Sequence, residues 1–153
     1  MAAMTTSLFS YGTLEIPEVM TAVTGRTFDS TGAVLPDHAR FLLHGETYPG
    51  IVHSYRAEVT GVLYRGIDRD SLALLDLFEG EFYRRETVHV TTASQQRVAA
   101  EAYLVPSNHE LLLSQHPWER ERFVAQHLDD FLAYCRTFHG HQTRRLGMNE
   151  RAR

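Results

Sequence analysis

The sequence predicts an α+β fold in which a curled, mostly antiparallel sheet or a small β-barrel is accompanied by short helices and one long C-terminal helix. About six segments have the short apolar runs, or the alternation of apolar and polar residues, that are typical of strands. Short helical segments interrupt these strands irregularly, which favours a curled sheet or barrel over a doubly wound parallel sheet. From Trp118 to Cys135 the apolar residues recur at helical spacing, which predicts the long helix.

The N-terminal part of the chain predicts a strand, a tight turn and a helix in direct succession. Residues 8–11 form a short apolar run that should be a buried strand, and Gly12 ends it. Pro17 suits the first position of a helix, and Gly25 suits the position that follows its last residue. Backbone N–H groups should therefore collect between Gly12 and Leu14, an arrangement that suits an anion such as a carboxylate. An ordinary strand-to-helix turn would have the same spacing.

The next part of the chain predicts further strands around one rigid loop. Residues 28–35 and 39–43 have the composition of strands and are separated by a proline and an aspartate. Residues 47–51 combine an aromatic residue, a proline and a glycine, which indicates a rigid loop. Tyr48 in this loop could form the wall of a pocket or could be the half-buried tyrosine of an ordinary turn. Residues 57–67 return to an alternating pattern and predict a strand.

The centre of the chain is a predicted short helix that ends at Gly80. Asp68 or Asp70 can cap its N-terminus, because a carboxylate accepts hydrogen bonds from the free N–H groups of the first turn. Apolar residues between positions 72 and 78 fall on almost every side of the helix, so we expect the helix to be buried. Gly80 can adopt the left-handed conformation that commonly ends a helix.

Glu79, in the last turn of this helix, is the candidate general acid/base. The negative end of the helix dipole opposes a carboxylate at this position. Burial would raise the pKa further, because the charged form loses its hydration. Both effects move the pKa of a glutamate toward neutrality, where a carboxyl group can accept and return a proton. An exposed glutamate at a helix end is the alternative that the spacing leaves open.

The C-terminal half predicts a hairpin followed by the long helix. Residues 83–91 and 98–105 alternate as two strands with a polar turn between them. The long helix should continue to about Phe138 and pack across the sheet. The domain is therefore predicted to span residues 1–138. The arginine-rich residues 139–153 contain few apolar side chains and are predicted to form a flexible tail.

Composition excludes several classes of function. The length of 153 residues suits one domain, and the net charge of -4 argues against nonspecific binding to nucleic acid. All 15 basic residues are arginine, so lysine Schiff-base chemistry is not available. Cys135 is the only cysteine, which rules out an intramolecular disulfide and fits a reducing compartment. Residues 1–7 lack the features of a secretory leader, and no stretch approaches transmembrane length, so we expect a cytoplasmic protein without membrane association.

Neither a metal site nor a nucleophilic side chain is predicted. The chain has nine histidines, but it has no H-E-x-x-H sequence and no paired Cys/His motif. Ser10 lacks the G-x-S-x-G context of a serine nucleophile. Cys135 is predicted to lie on the buried face of the long helix, where a thiol is usually inert.

Five short segments occur in an order and at a spacing that are informative together. They are Y-G-T-L at 11–14, Y-P-G-I at 48–51, G-V-L-Y at 61–64, L-D-L-F-E-G at 75–80 with Tyr83 and Arg85 after it, and P-W-E at 117–119. Together they resemble the motifs of the gamma-glutamylcyclotransferase-like family. The last segment and the long helix are similar to its plant avirulence-induced-gene branch.

This resemblance implies a small mixed β-barrel with peripheral helices and a cavity for a small molecule. It places the essential glutamate of the family at Glu79, as general acid and base. The segment at 15–17 is Glu-Ile-Pro, whereas many members of the family have a basic or glycine-rich segment there, which leaves the identity of the substrate open. The implied substrate-binding residues are those of the opening motif and two tyrosines: Tyr11, Gly12, Thr13, Leu14, Tyr48 and Tyr83.

The implied activity is the cyclisation of a gamma-glutamyl amine or peptide to 5-oxoproline, with release of the amine. The α-amine of the substrate attacks its own side-chain carbonyl, so the protein supplies a general acid/base, and no metal or cofactor is required. Backbone N–H groups near Gly12 would hold the α-carboxylate or the developing oxyanion. The alternatives are a non-catalytic module that binds a small metabolite or a partner in the same barrel, and an interaction role for the long helix. The sequence does not determine the leaving amine or the oligomeric state.

Overall fold

A computed structural model describes residues 4–148 of the chain and contains a closed barrel of five strands. The strands are β1 (Thr6–Ser10), β2 (Asp29–Leu42), β3 (Pro49–Ile67), β4 (Arg84–Thr92) and β5 (Arg97–Leu104). Around the barrel they follow the order β1-β3-β2-β4-β5, and β5 closes onto β1. The β1–β5 pair is parallel and the other pairs are antiparallel. The prediction of a small, mixed and mostly antiparallel barrel is confirmed.

The strands β2 and β3 are longer than the sequence predicts. They have 14 and 19 residues and pair with each other over most of their length. The predicted break in β2 is a bulge, because the register shifts between Pro36 and His38 while Asp37 adopts a φ of 60°. The predicted loop at 47–51 is wrong in its second half, since β3 begins at Pro49. A bulge lets the strand bend around the barrel without ending.

Three α-helices pack outside the barrel: α1 (Pro17–Thr24), α2 (Arg69–Glu79) and α3 (Arg120–Leu146). The predicted end of α1 is confirmed, because Gly25 is left-handed with φ 77° and ψ 9°. Asp68 caps α2 as predicted and accepts a hydrogen bond from the backbone N–H of Ser71 at 3.1 Å. None of the helices within residues 4–148 is long and apolar enough to cross a membrane.

The helix α2 differs from its prediction in two respects. It is buried on one side, at Leu74 and Leu75, whereas Leu77 is 42% exposed. Gly80 has a φ of 70° but a ψ of -162°, so it is not in the left-handed helical conformation. This backbone geometry also favours glycine. It leads into a short 3-10 helix, Gly80–Phe82, which brings the chain from the end of α2 to β4.

Two apolar cores meet at the wall of the barrel. Consecutive residues of β1 belong to different cores, because alternate side chains of a strand point to opposite faces. Leu8 packs between the barrel and the helices with Leu75 and Phe123. The inner core contains Phe9 and the buried residues that follow: Tyr11, Ala33, Leu35, Ile51, Val59, Leu63, Val88, Val90, Ala100 and Ala102. Tyr11 therefore lies at the end of the inner core, where β1 leaves the barrel.

The C-terminal helix extends beyond its predicted end at Phe138. It continues to Leu146, so residues 139–146 of the predicted tail are helical. His139 Nδ1 donates a hydrogen bond to the carbonyl oxygen of Val23 in α1 at 2.9 Å, and Thr143 is buried. The prediction failed because these contacts between α1 and α3 compensate for the scarcity of apolar residues. The rest of the predicted tail, residues 149–153, lies outside the described residues.

Candidate functional site

A cavity of about 360 Å³ lies where β1, the start of β3, the end of α2 and the middle of α3 converge. It contains every residue that the sequence singles out for catalysis or substrate binding. These residues come from four separate parts of the chain: Tyr11, Gly12, Thr13, Leu14, Tyr48, Glu79 and Tyr83. The structure thus brings the predicted set together. Their roles in binding and catalysis stay predictions.

Glu79 is the last residue of α2 and lines this cavity half-buried. Burial is the main cause that raises the pKa of Glu79 to about 8, and the negative charge of Asp76, one turn earlier, raises it further. Within residues 4–148 the ion pairs found do not include Glu79. Its carboxyl group therefore titrates near neutrality, as a general acid/base must.

Arg84 and Arg85 are the arginines nearest to Glu79 in sequence, and Arg85 pairs with other carboxylates. Its Nε atom lies 2.9 Å from Asp76 Oδ1, and its Nη1 atom lies 3.0 Å from Glu101 Oε1. Tyr103 also donates from its hydroxyl group to Asp76 Oδ1, at 2.8 Å. Arg85 is therefore held on the barrel side of α2 by two other carboxylates.

Tyrosine hydroxyl groups surround the acid. Tyr11 donates a hydrogen bond to the backbone carbonyl of Tyr103, and Tyr83 donates one to the carbonyl of Pro49 at 2.7 Å. Burial raises the pKa of Tyr11 and of Tyr83 well above the usual range, and the charge of Glu79 adds to both shifts. Both tyrosines therefore stay neutral. Since each hydroxyl proton is committed to a carbonyl, the oxygen can still accept a hydrogen bond from an ammonium group.

The loop after β1 is held closely against the start of β3. A Cβ atom on Gly12 would lie 2.9 Å from the ring carbons Cγ and Cδ of Pro49, so a larger residue would displace the proline. Arg40 Nη1 donates to the carbonyl oxygen of Tyr11 at 2.7 Å. The hydroxyl group of Tyr64 donates to the carbonyl oxygen of Leu14 at 2.7 Å. These contacts fix both ends of the loop that carries Gly12.

The sequence analysis missed the group that supports this loop from behind. Glu15 is 8% exposed, and its carboxylate lies 4.0 Å from Arg40 Nη1 and 3.8 Å from Arg120 Nη1. Burial raises the pKa of Glu15, and the two arginines oppose that shift. Glu15 is not among the residues that line the cavity, and its contacts with the two arginines support the loop. Arg40 is 25 positions away in sequence, and no local motif indicates this pairing.

The cavity also has an aromatic wall whose residues the sequence did not single out as site residues. Phe78 of α2 and Phe131 and Tyr134 of α3 line it. Phe131 has the spacing of a core residue of an amphipathic helix, and Tyr134 falls outside the predicted apolar stripe. Tyr48 and Glu46 also line the cavity, and burial, followed by the charge of Glu46, raises the pKa of Tyr48 to about 12.

Across the described part of the chain, no group of three or more His, Cys, Asp or Glu side chains is placed to hold a metal ion. Cys135 is fully buried on the inner face of α3, as predicted, and burial raises the pKa of its thiol to about 12.

A closed barrel with a cavity lined by Glu79 and several tyrosines is typical of proteins that bind or convert a small molecule. Residues 8–120 match the family described as "Gamma-glutamyl cyclotransferase, AIG2-like", and the chain belongs to that family. The predicted resemblance is therefore confirmed, and family and fold support a cyclotransferase-type function.

Known relatives agree with this assignment. The chain is 33% identical over 132 residues to "AIG2-like protein C" of Arabidopsis thaliana, covering 86% of this chain and 76% of that protein. An Arabidopsis thaliana protein solved in solution superimposes with a TM-score of 0.68 at 27% identity, covering 97% of this chain and 90% of the other. A solved structure named "Gamma-glutamyl cyclotransferase" has a TM-score of 0.60 at 22% identity, covering 67% of this chain and 68% of the other, and supports the fold alone.

Proposed function

We propose that this protein is a gamma-glutamyl cyclotransferase-type enzyme that converts a gamma-glutamyl amine or peptide to 5-oxoproline and the free amine. The observation that carries the proposal is the state of Glu79. It lines the cavity, burial raises its pKa to about 8, and none of the ion pairs found among residues 4–148 neutralises it. A carboxyl group in this state can take a proton and return it within one catalytic cycle.

The reaction begins with proton transfer from the substrate's α-ammonium group to the carboxylate of Glu79. The freed amine then attacks the side-chain carbonyl carbon of the same molecule and forms a five-membered ring. Protonated Glu79 delivers its proton to the leaving nitrogen as the carbon–nitrogen bond breaks. The α-nitrogen loses a second proton as the ring amide forms, and this proton leaves with the released amine, which departs as an ammonium ion.

The loop of Gly12, Thr13 and Leu14 would bind the α-carboxylate or the developing oxyanion of the gamma-glutamyl group. This loop lines the cavity, and Arg40 fixes it by donating a hydrogen bond to the carbonyl oxygen of Tyr11. The first residues of a helical turn have N–H groups with no acceptor inside that turn, so they can donate to the α-carboxylate or the oxyanion. The hydroxyl oxygens of Tyr11 and Tyr83 would accept from the α-ammonium group and orient it toward Glu79.

The direct test measures 5-oxoproline release from a panel of gamma-glutamyl amines, dipeptides and glutathione. The wild-type protein should release 5-oxoproline from at least one of them, and Glu79→Gln should not. Glu81→Gln is the matched control, because Glu81 is exposed, lies two residues further on and does not line the cavity. If the wild type binds a panel member and releases no product, the protein is a binding module and the enzymatic proposal falls.

A further inference from the structure

We propose that α3 completes the leaving-group side of this cavity, and that Phe131 and Tyr134 select an amine with an apolar body about the size of a ring and without a carboxylate. This inference rests on the proposed function, because it concerns the part of the substrate that is released. It assigns a specificity-determining role to a helix for which the sequence predicted packing across the sheet, with an interaction role as the alternative.

Three aromatic rings from two helices form the wall in question. The ring centroids of Phe78 and Phe131 are 6.0 Å apart, those of Phe131 and Tyr134 are 6.1 Å apart, and those of Phe78 and Tyr134 are 6.3 Å apart. All three side chains line the cavity. Tyr134 is nevertheless 60% exposed, so the wall has an apolar surface that a bound molecule could still cover.

The position of Glu79 determines which part of the substrate meets this wall. The proposed mechanism needs the leaving nitrogen within reach of the Glu79 carboxyl group, because that group protonates it. Phe78 precedes Glu79 in α2 and lines the same cavity. With the α-carboxylate at the loop of Gly12, the released amine extends away from the loop and toward the rings of Phe78, Phe131 and Tyr134.

The charges around this side of the cavity disfavour a second carboxylate. No arginine is among the described residues that line the cavity and the chain contains no lysine, so His44 is the one basic side chain in the described lining. Glu46 lines the cavity beside Tyr48 and would repel an anion. A carboxylate loses its hydration when it enters the cavity. This loss costs free energy unless a cation or enough hydrogen-bond donors replace the water. The leaving group of a peptide carries such a carboxylate, whereas that of a simple amide does not.

Three substrates that share the gamma-glutamyl head separate these effects. Gamma-glutamyl-phenethylamide has the ring without the carboxylate, gamma-glutamyl-phenylalanine has both, and gamma-glutamyl-methylamide has neither. In the wild type we expect kcat/KM for the phenethylamide to exceed that for the methylamide by about 10- to 100-fold, because a buried ring contributes to binding in proportion to its area. The phenylalanine peptide should fall at least about tenfold below the phenethylamide.

Variants locate the preference. Tyr134→Ala should reduce kcat/KM for the phenethylamide about tenfold, and its effect on the methylamide should be several times smaller. Glu46→Gln should raise kcat/KM for the phenylalanine peptide relative to the phenethylamide. Tyr55→Ala is the matched control, because Tyr55 is 77% exposed and does not line the cavity, and it should leave all three substrates as in the wild type. Equal turnover of the phenethylamide and methylamide would overturn the proposal, as would an equal loss for all three substrates in Tyr134→Ala.

Calorimetric binding of the same compounds to Glu79→Gln separates this inference from the proposed reaction. If no substrate is turned over by the wild type, but the phenethylamide binds more tightly than the methylamide and loses that advantage in the Glu79→Gln/Tyr134→Ala double variant, the subsite stands and the reaction falls. If the two amides bind equally, or if the advantage does not depend on Tyr134, the subsite falls whatever the turnover.

Discussion

The last two turns of α2 carry two carboxyl groups in opposite surroundings. Asp76 faces the barrel, where it accepts a hydrogen bond from Tyr103 at 2.8 Å and pairs with Arg85 at 2.9 Å. Glu79 lies one turn further and lines the cavity, where burial raises its pKa to about 8. The comparison teaches that one helix can hold a carboxylate in an ion pair and another whose raised pKa suits the proposed proton transfer, since the surroundings decide the pKa.

The largest expected difference between these two carboxyl groups lies in catalysis. Glu79→Gln should reduce kcat by about 10²- to 10⁴-fold while substrate binding and fold are retained, because glutamine keeps the shape of the side chain but cannot accept the ammonium proton. Asp76→Asn should retain most of the activity at a pH above the pKa of Glu79. Steady-state kinetics and calorimetric binding on both variants check this contrast. A larger loss of kcat in Asp76→Asn than in Glu79→Gln would reverse the assignment of roles.

The features that sequence patterns predicted correctly are mostly local. Asp68 caps α2, and Gly25 ends α1, because each acts on backbone groups a few residues away. Glu79 could be singled out for the same reason, since a helix end and a run of leucines are visible in sequence. The size of its pKa shift could not be predicted from the sequence, because the burial of Glu79 depends on which elements pack around it.

The features that the sequence did not reveal depend on distant partners. Arg40 supports the loop of Tyr11 from a position 29 residues further along the chain. Phe131 has the spacing of a core residue, and only the packing of α3 against α2 turns it toward the cavity. The bulge at Asp37 was predicted as a break between two strands, since the preceding Pro36 is compatible with a bulge and with the end of a strand.

The surroundings of Glu79, unlike those of Asp76, include α3, because Phe131 and Tyr134 of this helix line the same cavity. Ending the chain after Phe138 removes the hydrogen bond of His139 to Val23 and the buried Thr143. We expect the melting temperature to fall by about 5 °C or more, at roughly 2–4 °C per kcal/mol for a chain of this size. The matched control ends after Met148 and keeps every described residue. Equal melting temperatures for the two truncations would mean that the end of α3 contributes nothing to the fold.

The raised pKa of Glu79 predicts a specific pH dependence of activity. Only the deprotonated carboxylate can accept the ammonium proton, so kcat/KM should rise with pH through a midpoint near the pKa of about 8 and level off above it. Asp76→Asn removes a negative charge that raises this pKa, so the midpoint should move to lower pH. Rates measured across this range in both proteins test the shift, and a midpoint that stays in place would exclude Asp76 as a cause.

The same pKa predicts how stability depends on pH. The folded protein binds a proton at Glu79 up to a pH of about 8, whereas in the unfolded chain the carboxyl group titrates near 4.5. The contribution of Glu79 to the free energy of unfolding is therefore fully present below pH 4.5. It declines as the pH rises from 4.5 to about 8. Glu79→Gln removes this decline, so its melting temperature relative to wild type should be higher at pH 8.5 than at pH 4.5. A difference that does not change with pH would mean that Glu79 has an ordinary pKa in the folded protein.

The smallest expected effect concerns Arg85, which holds Asp76 in its structural role. Arg85→Gln leaves the charge of Asp76 without its cation, so that charge acts more strongly on Glu79 and should move the midpoint of the pH profile upward, opposite to Asp76→Asn. The shift should be a fraction of a pH unit and should shrink at high salt, because Arg85 and Asp76 are both partly exposed. Arg84→Gln is the matched control, since it removes the same charge from an exposed neighbour that does not pair with Asp76 among the ion pairs found in residues 4–148. If both arginine variants moved the midpoint equally, the effect would come from net charge, and the pairing of Arg85 with Asp76 would have no part in setting the pKa of Glu79.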